Sequence, residues 1–229
     1  MNVIGDPKLE RMLARLHDAS DVEVTSVMAY YDAHVEEDGL PRPEDAGQLK
    51  EFLSDKFVAL DRDKAEFCYQ LCRATGARRI VEVGTSYGVS TLYLAAAVRD
   101  NVRVGGGPGV VIGTEYEPAK AKAARDNFAE AGLSEFVDVR EGDLRDTLKH
   151  IDSPVDFVLV DIWFNMARPA LELITPHLRA GAIVICDNTQ QYRTTYASYF
   201  EFINDPANGF STMTLPFVGG LEMSVHSKA

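Results

Sequence analysis

A chain of 229 residues is long enough for one sizeable hydrophobic core and short for two. With 46% hydrophobic and 25% charged residues it has the balance of a packed globular protein, which excludes a largely disordered chain. A net charge of −12, with no Lys/Arg cluster longer than Arg78-Arg79, repels a phosphate backbone, so no nucleic-acid partner is expected.

No apolar run reaches the roughly 18 residues of a membrane span. The start, MNVIGDPKLERMLARLHDA, carries charges where a signal peptide needs its apolar stretch. The expected setting is cytoplasmic, without a membrane partner.

Residues 8 to 18 place Leu9, Met12, Leu13 and Leu16 on one helical face. Residues 22 to 37 repeat the habit with Val24, Val27, Met28, Tyr31 and Val35, so the chain is expected to open with two amphipathic helices. Gly39-Leu-Pro-Arg-Pro43 breaks the pattern, a short helical stretch starts at Gln48, and Asp61 is a fitting N-cap for a helix ending near Gly76. Cys68 and Cys72 lie four apart in that helix and Cys186 in an apolar strand-like run; all three read as buried free thiols. One domain over 1–229 is expected, with 1–55 as a helical prelude that serves as a lid or a dimer contact.

From Arg78 the rhythm changes. RRIVEV, a helix over 88 to 99, GVVIGT and a helix over 118 to 131 alternate, which predicts βαβ units and a parallel sheet. FVDVR, VDFVLVD and AIVICD supply three more strands, with helical segments near 144 to 151 and 167 to 179, and apolar runs of this kind are expected to be buried on both faces. FSTMTLPFV, Gly219-Gly220 and LEMSVH read as two strands around a tight turn, an antiparallel pair that finishes the sheet. Glycines 105 to 107 and 109, around Pro108, read as a surface loop.

Glu82-Val-Gly84-Thr-Ser86-Tyr-Gly88-Val-Ser90-Thr follows the first strand and opens a helix, the place where an α/β sheet binds nucleotide-type ligands. Ser86 and Val89 stand where G-x-G-x-x-G would have its second and third glycines, which disfavours a pyrophosphate. Glu82 can accept from an ammonium group, and Ser90 with the helix N-terminus can hold a carboxylate, so an amino-acid headgroup fits both. Glu115, at the tip of the second strand, suits the two hydroxyls of a ribose, and Tyr116 can flank an adenine.

The fourth and fifth strands end at Asp161 and at Asp187-Asn188. These hard oxygen groups suit Mg²⁺, Ca²⁺ or Mn²⁺. Trp163, Phe164, Tyr192, Tyr196, Tyr199 and Phe200 either wall a pocket for a planar substrate or pack on the sheet, and helical spacing favours packing for most of those from 192 on.

The run Glu-Val-Gly-Thr-Ser-Tyr-Gly-Val-Ser-Thr-Leu, with Gly-Thr-Glu-Tyr-Glu-Pro after it, resembles the small-molecule O-methyltransferases, the group of catechol and caffeoyl-CoA O-methyltransferases. The likeness covers about residues 56 to 228. It implies a Rossmann-like class I methyltransferase fold: a mostly parallel seven-stranded sheet with an antiparallel terminal pair and helices on both faces. It implies S-adenosylmethionine as cofactor, with Glu82, Gly84, Ser86 and Ser90 on its methionine part and Glu115 on the ribose. Tyr116, Asp143, Leu144 and Trp163 would hold the adenine, and Leu60 falls where the family's chain touches the cofactor.

Asp161 would be the catalytic residue, shared by the cofactor and metal sites, and Asp161, Asp187 and Asn188 the ligands of a divalent cation. The implied reaction is metal-assisted O-methylation of a small, hydroxylated, catechol-like molecule by a homodimer. The alternatives are a metal-independent methyltransferase acting on another nucleophile, a nicotinamide-dependent oxidoreductase, or a noncatalytic cofactor-binding protein. One departure stands out: the family's lysine, three residues after the first metal aspartate, is Phe164 here. No base is assigned, since Lys56, His34 and Tyr192 read as surface or packing residues.

Overall fold

A computed structural model describes residues 3–34, 46–152, 154–191 and 193–228. The chain opens with one helix, α1 (Pro7–His34), where the sequence predicts two. The stretch between the expected halves holds no glycine or proline, so nothing interrupts the backbone hydrogen bonds when the apolar stripe lapses. Leu9, Met12, Leu13 and Leu16 join the chain's own core, so this face, offered by the sequence to a second subunit, is already covered. Val35 and the break at Gly39–Pro43 lie outside the described residues, as does the side chain of Tyr31.

Next come α2 (Ala46–Leu53) and α3 (Arg62–Thr75). Gly76 ends α3 in the left-handed conformation, φ 66°, and its N–H reaches back to the last turn. Asp61 sits at the N-cap as expected, but its side chain makes no cap bond.

Seven strands form one sheet: β1 (Arg79–Val83), β2 (Val110–Glu115), β3 (Val137–Glu141), β4 (Val155–Val160), β5 (Leu178–Asp187), β6 (Phe210–Leu215) and β7 (Leu221–His226). Their order is β3-β2-β1-β4-β5-β7-β6. The first five are parallel, and β7 runs antiparallel between β5 and β6. The remaining helices are α4 (Val89–Gly105), α5 (Pro118–Ala131), α6 (Leu144–Thr147), α7 (Phe164–Ile174) and α8 (Ala197–Asn204).

Alternation along the strands divides the core into two layers. Ile80, Phe157 and Ile183 face one hydrophobic cluster; their neighbours Val81, Val158 and Val184 face the other. Burial on both faces holds for β1, β4 and β5 but not for β3, an edge strand without a fully buried residue. Tyr196 and Tyr199 are buried in the second cluster, with Phe200 packed on it; Tyr192 lies outside the described residues. Cys68, Cys72 and Cys186 are free and buried. Among the described residues no helix is long and apolar enough to cross a membrane.

Strand order reverses between β1 and β4, the switch point at which an open parallel sheet leaves a crevice at its carboxyl edge. The opposite edge is stitched by Asp156 of β4. One carboxylate oxygen accepts from the N–H groups of Arg78 and Arg79, both at 2.9 Å, and the other from Arg179 Nε at 2.6 Å. Burial alone would raise the pKa of this group, but these bonds outweigh it and hold it below the usual carboxylate range. A depressed pKa adds stability above the unfolded value that disappears as pH falls through the folded one. Asp156→Asn is therefore expected to cost roughly 2 kcal/mol at pH 7, with the deficit closing below about pH 4, as read by urea denaturation across pH.

Candidate active site

The turn between β1 and α4 takes its shape from two glycines and one serine. Gly84 has φ 98° and Gly88 has φ 83°; Ser86 also has a positive φ, 49°, unusual for a residue with a side chain. The sequence assigns Gly84 to close approach of a ligand, but the structure shows a different demand. A Cβ on Gly84 would lie 2.0 Å from the carbonyl oxygen of Asp161, at the end of β4. At Gly88 it would meet the ring of Phe128 at 2.6 Å, so that glycine lets α4 pack on α5.

Beneath the turn, Glu82 is fully buried. Ser90 donates to one of its oxygens at 2.7 Å, and Thr85 (3.0 Å) and Thr91 donate to the other. Glu82 and Ser90, read from sequence as separate contacts for an amino acid, thus form one unit. Burial raises the pKa of Glu82 against the pull of the three hydroxyls. A carboxylate has about four lone-pair sites, so acceptor capacity remains for an ammonium group. The two threonines escaped the sequence reading, although they lie only 3 and 9 residues beyond Glu82 along a segment already singled out.

Glu115, at the tip of β2, accepts from the N–H of Ser86 at 2.7 Å and of Glu117 at 2.8 Å, one on each oxygen. It thereby fixes the left-handed residue of the glycine turn. Tyr116 beside it is 57% exposed and Trp163, at the N-cap of α7, is 37% exposed, so both offer ring surface at the carboxyl edge. Asp143 caps α6 through the N–H of Arg145 at 2.8 Å and pairs with that residue's guanidinium. The guanidinium holds the Asp143 carboxyl down at about 2. Leu144 is buried in the second core cluster.

A strap of chain, residues 53 to 60, lies over the glycine turn. Tyr87 Oη donates to the carbonyl of Asp55 at 2.8 Å, Lys120 Nζ to that of Leu53 at 3.0 Å, and the Phe57 ring stacks on Tyr87 at 4.4 Å. Ala59 N–H donates to Ser20 Oγ of α1 at 2.9 Å. Under the strap is a narrow cleft whose lining includes Phe57, Leu60, Gly84, Ser86, Ser90 and Asp161. Leu60, Gly84, Ser86 and Ser90, named separately from sequence, are brought together here. Lys56 pairs with Asp55 at 2.7 Å on the strap, and His34 stacks on Tyr30 at 4.0 Å, positions that agree with their reading as surface or packing groups.

At the tips of β4 and β5 stand Asp161, Asp187 and Asn188. Asp161 is half-buried among acids, and desolvation together with Asp187 and Glu82 pushes its carboxyl well above the usual carboxylate range. The unexpected neighbour is Lys64 of α3. Its side chain is 1% exposed, and Nζ lies 2.8 Å from Asp187 Oδ1 and 2.8 Å from Asp61 Oδ2. Burial works against its charge, but the two carboxylates outweigh burial and raise its pKa, so it is an ammonium. Asp61 thus spends its carboxylate on Lys64 instead of on the helix cap. Lys64 was not singled out from sequence; the available signal was its place on the stripe of Cys68 and Cys72, at i, i+4 and i+8.

The expected cation can be tested against this donor set. Asn188, left-handed at φ 58°, donates its amide to Asp187 Oδ2 at 3.1 Å, while its amide oxygen faces Gly219, where a Cβ would lie 2.6 Å from it. Oδ2 of Asp187 thus accepts a hydrogen bond, while Oδ1 takes none and is balanced by the charge of the Lys64 ammonium 2.8 Å away. At an effective dielectric near 20, a divalent ion about 4 Å from an ammonium is repelled by about 8 kcal/mol. As arranged, Asp161, Asp187 and Asn188 do not fit a divalent cation beside Lys64.

Comparison with known proteins agrees with the fold. Residues 81–189 match the family described as a methyltransferase domain. A catechol O-methyltransferase of Mycobacterium tuberculosis is 33% identical over 133 residues, 57% of either chain. One from Niastella koreensis is 28% identical over 139 residues, 57% of this chain and 58% of that protein. The chain thus matches a little over half the length of these relatives.

Among solved structures, an O-methyltransferase of Bacillus cereus in complex with S-adenosylhomocysteine superposes with a TM-score of 0.66 at 22% identity, covering 93% of this chain and all of that one. The O-methyltransferase TomG of Streptomyces achromogenes, in complex with S-adenosylmethionine, gives 0.66 at 21% identity over 92% and 98%.

Proposed function

We propose that this chain is an S-adenosylmethionine-dependent O-methyltransferase of the catechol and caffeoyl-CoA type, which methylates a hydroxyl group of a small, catechol-like molecule. The observation that carries the proposal is the pair of acids at successive strand tips: Glu82 under its three hydroxyls, and Glu115 locked to the turn. The first suits the ammonium of an amino acid and the second the diol of a ribose.

In this reading Leu60, Gly84, Ser86 and Ser90 line the methionine end, and Tyr116, Asp143, Leu144 and Trp163 the adenine end. Asp161 lines the donor cleft and neighbours Asp187, so it stands where donor and acceptor would meet. S-adenosylmethionine supplies a sulfonium methyl group: the acceptor oxygen bonds to that carbon, sulfur keeps the C–S pair, and the hydroxyl proton passes to water. The protein's part is to hold the two reactants in line under the strap and away from bulk solvent. A cytoplasmic homodimer completes the proposal, and sedimentation of the purified chain checks its subunit count.

The competing reading as a nicotinamide-dependent oxidoreductase is disfavoured by Ser86 and Val89 in place of the second and third glycines of a pyrophosphate turn. Calorimetry separates the two. S-adenosylmethionine is expected to bind saturably in the presence of chelator, and NAD⁺ to give no saturable heat; the reverse would overturn the assignment.

A further inference from the structure

From the placement of Lys64 we infer that this site carries its own cation, and that the ammonium of Lys64 stands in for the divalent ion expected at Asp187. The inference rests on the methyl-transfer reading for its purpose but on geometry for its substance. Lys64 Nζ bridges Asp187 of β5 and Asp61 at the mouth of α3, 2.8 Å from each, from a side chain that is 1% exposed. A lysine so enclosed is no surface group drifting toward an acid. Withdrawing it would leave Asp187, itself buried, without its countercharge.

Two further features point the same way. Asp61 occupies an N-cap yet gives the helix no cap bond, because its carboxylate faces the ammonium. The residue three beyond Asp161 is Phe164, partly buried against the core, where the resembling family carries a lysine, so Lys64 is the cation beside these acids. A compact, strongly hydrated point charge such as an ammonium can balance a carboxylate, but it cannot share the position with a metal ion. The chain therefore carries out its reaction without a divalent metal, and the acceptor meets a fixed ammonium–carboxylate pair.

Mn²⁺ is the probe, with the free ion followed by electron paramagnetic resonance during titration of the full chain, both with and without S-adenosylmethionine. Wild type is expected to take up no stoichiometric Mn²⁺. Lys64→Gln, which keeps the stem and removes the charge, is expected to bind one ion roughly tenfold or more tighter, and Lys64→Gln with Asp187→Asn to lose it again. A ligand gained on removing a charge is not what a merely structural lysine would show.

One Mn²⁺ held by wild type and released in Asp187→Asn would overturn the inference, and so would a folded Lys64→Gln that gains none. Should Lys64→Gln fail to fold, the comparison of wild type with Asp187→Asn still decides. Donor calorimetry is read separately: a chain that binds no S-adenosylmethionine sinks the transferase reading and leaves the Mn²⁺ result standing.

Discussion

Glu115→Ala is expected to weaken S-adenosylmethionine binding by about 100-fold or more, with a matching rise in the donor KM and a smaller change in kcat. Two losses add. Hydrogen bonds donated to a carboxylate are worth about 1.5–3 kcal/mol each, and a ribose diol would donate two. The variant also frees the N–H groups of Ser86 and Glu117, so the left-handed residue of the turn loses the acceptor that holds it. Glu115→Gln should fall between, since the amide oxygen can still accept from one of those N–H groups. Calorimetry with both variants is the check, and an alanine variant binding within about threefold of wild type would mean that the ribose sits elsewhere.

The second large effect is on the fold. Gly84→Ala would set a methyl group 2.0 Å from the Asp161 carbonyl oxygen, at a backbone φ of 98°. Backbone rather than a flexible side chain stands in the way, and that backbone links β4 to the acid at its tip. Gly132→Ala is the control, because Gly132 has φ 69° and nothing within 4 Å of a new Cβ. The control should cost about 1 kcal/mol, the strain of the left-handed conformation alone. Gly84→Ala should cost at least about 3 kcal/mol beyond that, as overpacking against a fixed backbone does. Urea denaturation of the two side by side reads the difference, and equal midpoints would show that the tip of β4 can move away.

Much of the fold was legible because local signals and burial agree. Pro118 at the start and Gly132 just past the end bound α5 where the sequence placed it, and LEMSVH is β7 residue for residue. Where the signals disagree the sequence misleads. The lapse in apolar spacing near residue 20 reads as a break, yet a helix ends at a cap or a breaker, and charged residues on a solvent face supply neither.

The edge position of β3 could not be read from its own residues, since strand order depends on connections made elsewhere. The strand tips of the site were legible by period and position. Lys64 was not, because sequence gives a side chain's charge but not the direction in which it points, and a lysine in a first helical turn is ordinarily solvated.

The strap over residues 53 to 60 matters for time as well as for shape. On the proposed function, a ligand reaching Glu82 would enter beneath a segment tied to Tyr87, Lys120 and Ser20, and would leave the same way. In the proposed reading the strand-tip acids make the polar contacts to the donor, while the strap adds the apolar cover of Phe57 and Leu60. Such a strap would set the clock of exchange: how often a spent donor is traded for a fresh one, and hence the ceiling on turnover once chemistry is fast.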